Sequence, residues 1–217
     1  MAGNPGQVVA VVGGGPKVGV TSVAVNLAAA LAQQGKHVLL LDERNDLPPN
    51  QAQREERLVL IDTLLDTEGA LSPMAARADH VLVVLQPTAA SITASYACIK
   101  RLHYAHALQR MRVLVNCATS TAEAGRVVAN LAHTGSRYLA LALEPAGTVR
   151  ADPCLAQARR LNLAVVDAFQ TSPAATDFRQ IASELLRWPW RPQDGCLPQR
   201  VAAMPTGHEG SPALEIQ

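Results

Sequence analysis

The sequence predicts a doubly wound α/β fold: a mostly parallel sheet flanked by helices. Three observations predict it. Short aliphatic runs alternate with longer stretches of helical periodicity. A glycine cluster separates the first run from the first helix. Hydrophobic residues make up 48% of the chain while aromatics are only 3%, and a core of Val, Leu, Ile and Ala suits parallel strands buried on both faces. At 217 residues the chain is long enough for one sizeable core plus a tail.

Gln7–Val12 is an apolar run that stops at Gly13-Gly14-Gly15, and Thr21–Gln34 follows with Val23, Leu27, Ala30 and Leu31 at helical spacing. Gly35 is a helix stop, and His37–Leu41 is the second strand. Leu58–Ile61, Val81–Leu85 and Val113–Val115 read as the third, fourth and fifth strands, with helices over Ser91–Leu108 and Thr121–Thr134. Leu139–Leu143 and Ala164–Val166 read as short peripheral strands, and Ser172-Pro173 opens a last helix ending at Arg187. The first 187 residues form the predicted domain. From Trp188 to Gln217 the composition changes, with five of the 14 prolines and no apolar periodicity, so residues 188–217 are expected to be a disordered tail.

A net charge of +1 gives no electrostatic basis for direct nucleic-acid binding. Cys98, Cys117, Cys154 and Cys196 are scattered, with no Cys-x-x-Cys pair, as expected of buried thiols in a reducing compartment. The first residues lack the basic start and small-residue cleavage site of a signal peptide. No apolar stretch approaches the ~20 residues needed to span a bilayer. A cytoplasmic location is the expectation.

The loop from Gly14 to Ser22 lies between a strand and a helix, the context of a Walker A phosphate loop, G-x-x-x-x-G-K-[ST]. Gly14, Gly19 and Thr21 match it, whereas Val20 stands where the lysine belongs. Backbone N–H groups around Gly14, Gly15, Lys17, Gly19, Val20, Thr21 and Ser22 could converge on an anion at the helix amino terminus. Valine supplies no charge against a phosphate. The alternative is a glycine-rich turn that holds no ligand.

Val18-Gly19, Thr21-Ser22 and Val23-Ala24-Val25-Asn26-Leu27-Ala28 resemble the amino-terminal unit of the MinD/ParA family, whose loop reads G-K-G-G-V-G-K-[ST]-[ST]. On that register Gly15 takes the position of the signature lysine, which reaches across an ATP-sandwich dimer, and Val20 that of the Walker lysine. Leu39–Asp42 resembles a strand ending in D-x-D, with Arg44 at the second acidic position, where the family orients the attacking water. Leu58–Asp62 resembles the Walker B strand. After it Thr63–Asp66 departs from the family's D-x-P-A-G, and the spacing after Asp46 is short. The resemblance implies ATP or ADP with Mg²⁺, Thr21, Asp42 and Asp62 toward the metal, and Asn116 against adenine.

Ala78–Val84, Pro87-Thr88 and Ser91–Lys100 resemble the "SLTDAYALIK" region of the FlhG/FleN branch. Val113–Asn116 with Thr121–Ala124, Asp152-Pro153, Val165–Phe169 and Ser172–Ala175 are similar to its later segments. That branch implies partners among flagellar assembly or regulatory proteins. The lost positions imply weak or absent ATP hydrolysis, no confident catalytic residue and no ATP-sandwich dimer. An active ATPase of another branch, such as a cellulose-operon or partitioning homologue, and a non-catalytic scaffold are the alternatives. The D-Q-A-x-x-L-R element that acts on the FlhF GTPase is not found in Met1–Gln7. Trp188-Pro189-Trp190-Arg191-Pro192 is too proline-rich for the branch's amphipathic membrane helix. The two tryptophans could dock on a partner or a membrane interface, though such residues more often close a core edge.

Overall fold

The computed structural model describes residues 7–44 and 58–189. Among the described residues six strands form one sheet: β1 (Gln7–Gly13), β2 (Val38–Asp42), β3 (Leu58–Asp62), β4 (His80–Leu85), β5 (Arg110–Ala118) and β6 (Ala142–Arg150). Every neighbouring pair is parallel, and the order is β2-β3-β1-β4-β5-β6. Among the described residues six α-helices accompany them: α1 (Val20–Gln33), α2 (Ala89–His106), α3 (Thr121–Leu139), α4 (Pro153–Arg160), α5 (Val165–Ala168) and α6 (Pro173–Leu185). The predicted doubly wound α/β class is the observed one.

The period-two alternation of strands divides the core into two layers. Val9, Val11, Leu60, Leu82 and Val84 face α1, α5 and α6. Ala10, Val12, Ile61, Val83 and Val115 face α2 and α3. Both faces are covered, so the central strands read as unbroken apolar runs. Side-chain caps set several helix starts: the Thr88, Ser120, Asp152 and Ser172 side chains accept from backbone N–H groups of the first turn of α2, α3, α4 and α6.

Two predicted strands differ. Leu139 ends α3, Ala140 turns the chain through a left-handed conformation at φ 50°, and β6 runs on to Arg150 through Pro145 and Gly147. Glu144-Pro145-Ala146-Gly147 looks like a turn locally, yet β6 is an edge strand, where proline is tolerated. Ala164–Val166 is not a strand. Val165 begins the single-turn helix α5, and its N–H donates to the Asn26 side-chain oxygen of α1 at 2.6 Å. Short apolar runs carry no periodicity that separates the two states. Helix α4 had no counterpart in the periodicity reading.

Trp188 is 7% exposed and joins the core layer of α1 and α6. The Arg112 guanidinium lies 4.2 Å from its ring centroid and the His80 ring meets it edge-on at 5.1 Å. Arg112 also pairs with Glu144 at 2.8 Å. Trp188 thus closes a core edge and extends the packed unit past Arg187. The expected tail beyond it, Trp190, Cys196 and the spacing after Asp46 fall outside the described residues.

Burial lowers the His80 pKa from the ordinary 6.5, Arg112 lowers it further, and Asp79, Glu144 and the Pro189 backbone oppose the shift. The unfolded chain therefore binds this proton more readily than the folded one. The associated stability is complete above about pH 6.5 and falls as pH drops through the folded value. The thermal midpoint of the wild type should fall more steeply between about pH 7 and pH 5 than that of His80→Gln. Parallel profiles for the two proteins would refute this.

Candidate functional site

The glycine loop leaves the carboxyl end of β1, between β3 and β4, where open α/β sheets place ligands. The Gly14 N–H donates to the Val84 carbonyl at 2.8 Å, tying the loop to β4. A Cβ at Gly14 would collide with Ser95 of α2, so only glycine lets helix and loop approach this closely. Gly19 caps α1 at φ 91°, and a Cβ there would lie 2.6 Å from the Asn116 amide nitrogen. That amide donates to the Val18 carbonyl at 2.9 Å. The end of β5 therefore holds the loop in shape.

The loop forms one side of a cavity of about 1010 Å³. Of the predicted residues, Gly15, Lys17, Gly19, Val20, Thr21 and Ser22 line it. Gly14 and Asn116 are not among the lining residues; both brace the loop, and Asn116 also accepts from the Cys117 N–H at 2.9 Å. Leu155, Arg159 and Leu163, from α4 and the segment after it, also line the cavity. Lys17, Arg44 and Arg159 are all cationic, and among the described residues none that lines the cavity is a carboxylate, so the described wall favours an anion. Arg159 was missed by the sequence reading. Its signal was Asp152-Pro153, an N-cap followed by proline at the first helical position, with arginines in the last turn.

Beneath the cavity the three predicted metal-binding residues converge on one guanidinium nitrogen. Arg44 Nη1 lies 2.9 Å from Asp62 Oδ2, 3.2 Å from Thr21 Oγ1 and 3.4 Å from Asp42 Oδ1. The Thr21 hydroxyl donates to Asp62 Oδ2 at 2.6 Å. Local geometry fixes the arginine's root: its backbone N–H donates to Asp42 Oδ1 at 3.0 Å. Next to it, Glu43 accepts from the Leu64 N–H at 2.9 Å and from the Ser72 hydroxyl. Asp62 is 1% exposed, and its Oδ1 has no hydrogen-bond partner among the described residues.

Magnesium fits this arrangement poorly. The ion demands near-octahedral oxygen ligands at about 2.0–2.1 Å, and the volume between these oxygens is filled by a permanently charged guanidinium. Like unit charges 4 Å apart repel by roughly 4 kcal/mol at an effective dielectric of 20, and a divalent ion doubles that. Among the described residues no group of three or more His, Cys, Asp or Glu is placed to hold a metal. The orphaned Asp62 Oδ1 would accept one more donor, which a single oxygen does not make into a metal site.

A glycine loop between β1 and α1 at the centre of an all-parallel sheet, with acidic residues ending β2 and β3, defines a P-loop α/β architecture. No family model matches the chain. It is 31% identical to the antiactivator FleN of Pseudomonas aeruginosa over 247 aligned residues, covering 86% of this chain and 88% of that protein. The chain belongs to the MinD/ParA family and is FlhG/FleN-like. Its fold matches the MinD cell division protein of Aquifex aeolicus with a TM-score of 0.64 at 18% identity, over 86% of this chain and 100% of the other. It also matches the septum site-determining protein MinD of Pyrococcus horikoshii, solved with Mg-ADP, with a TM-score of 0.59 at 14% identity, over 83% and 96%.

Proposed function

We propose that this protein is a FlhG/FleN-like regulator of flagellar number or placement that acts through protein contacts and hydrolyses ATP weakly or not at all. The observation that carries the low-turnover part is the arginine bound to Thr21 and Asp62 in place of a free acidic residue. Val20 and Gly15 stand where the family has lysines, and each lost contact to a transferring phosphoryl group commonly costs orders of magnitude in rate. Protein partners are supported by the relative's description as an antiactivator and by the fold's match to MinD in the Aquifex MinC:MinD complex.

In this reading Gly15, Lys17, Gly19, Val20, Thr21 and Ser22 surround the phosphates of ATP or ADP, Gly14 and Asn116 hold the loop, and the protein works in the cytoplasm. Among the described residues no helix is long and apolar enough to cross a membrane. A working ATPase is the second reading, favoured by Lys17 and Arg159 on the cavity wall. Phosphate release and sedimentation, each with ATP·Mg²⁺, test the two. Background turnover and an unchanged sedimentation coefficient are expected, because Gly15 cannot reach across a dimer. Turnover abolished by Asp62→Ala, or a nucleotide-driven shift to dimer, would favour the second reading.

A further inference from the structure

We propose that Arg44 takes the place of the divalent cation, so that the cavity binds the phosphates of a nucleotide without Mg²⁺. This rests on the nucleotide reading of the cavity and goes beyond its low turnover. The ligands expected of a metal, Thr21 Oγ1 and the Asp42 and Asp62 carboxylates, are all within 3.4 Å of Arg44 Nη1. The guanidinium is a cation tethered to the chain, so it stays beside these carboxylates whether or not an ion is present in solution.

The arginine belongs to both layers of the site. One nitrogen is turned to the carboxylates, while the side chain remains 44% exposed and lines the cavity. Its remaining side-chain N–H groups have no partner among the described residues, and their planar fork is well shaped for a phosphate. Lys17 and Arg159 add two more cations, with no carboxylate on the wall among the described residues. In a metal-dependent site the phosphates reach the buried acids through the ion. Here the protein's own cation stands between the two, and an added ion would have to displace it from a buried carboxylate.

The test uses the full chain. Titration calorimetry with ADP is run in EDTA and in Mg²⁺, for the wild type, Arg44→Gln and Arg44→Asp, with folding checked by circular dichroism. Wild-type affinity should agree within about twofold between the two buffers, whereas Arg44→Asp should bind at least about tenfold more tightly with Mg²⁺ than in EDTA. A wild type that binds ADP about tenfold more tightly in Mg²⁺ overturns the proposal, while leaving the low-turnover reading to its own phosphate-release assay. Absence of ADP binding in both buffers counts against the nucleotide reading and overturns the proposal with it. A second arm examines the cation position alone, with Mn²⁺ followed by its paramagnetic signal without nucleotide. Mn²⁺ bound by both variants and not by the wild type supports the exchange of arginine for metal. Equal Mn²⁺ binding by all three proteins, or none by any, overturns it.

Discussion

Val20→Lys alone is expected to leave ATP turnover within about tenfold of the wild type, whereas the triple variant Gly15→Lys, Val20→Lys, Arg44→Asp should raise it on the order of 10²–10³-fold. The single change returns a charge to a helix amino terminus already shaped for anions, so phosphate affinity should improve. It leaves Arg44 bound to Thr21 and Asp62, where the family has a carboxylate. Pro16 also removes one backbone N–H from the loop. In the triple, a Cβ at Gly15 would lie 3.1 Å from the Ala94 Cβ, so α2 must give by a few tenths of an ångström to admit it. Phosphate release under saturating ATP·Mg²⁺ is the measurement. Brisk turnover by Val20→Lys alone would mean that one change silenced the site and that Arg44 is no obstacle.

Phe178→Ala is expected to destabilise the fold by about 3–5 kcal/mol. Phe178 is 1% exposed and is one of two phenylalanines in the chain. It packs in the core layer shared by α1, α5 and α6, which is otherwise aliphatic apart from Trp188 and the half-buried Phe169, and a rigid aliphatic wall collapses only partly into the space left by a ring. The urea midpoint should fall with little change in the slope of the transition. A loss below about 1 kcal/mol would show that the site repacks around the smaller side chain.

The strands were legible because their cause is local. Gln7–Val12, Leu58–Ile61 and Val81–Leu85 are runs of aliphatic residues with no polar alternation, which signals burial on both faces, and all three are strands in the structure. The first helix was legible from its spacing and Gly35, and differs by one residue at each end. β6 was cut short because a proline and a glycine break a strand unless its place at the sheet edge is known. Ala164–Val166 was misread because its state depends on Asn26, 139 residues away in sequence.

At the site, the loop, its position between strand and helix, the missing lysine at Val20 and the intruding Arg44 could all be read from the chain. These are matters of residue type and spacing along the chain. What Arg44 does, that Asn116 braces the loop, that Arg159 lines the cavity and that Trp188 packs near the starts of β4 and β5 became visible only in the folded protein. Each of these depends on segments that adjacent parallel strands bring together. A one-dimensional pattern records which face of an element is apolar, whereas the partner of a polar group is fixed by strand order and register. In sequence the three oxygens around Arg44 belong to the starts and ends of separate elements; in the folded protein they lie within 3.4 Å of one nitrogen because β2, β3 and β1 are neighbours in one sheet.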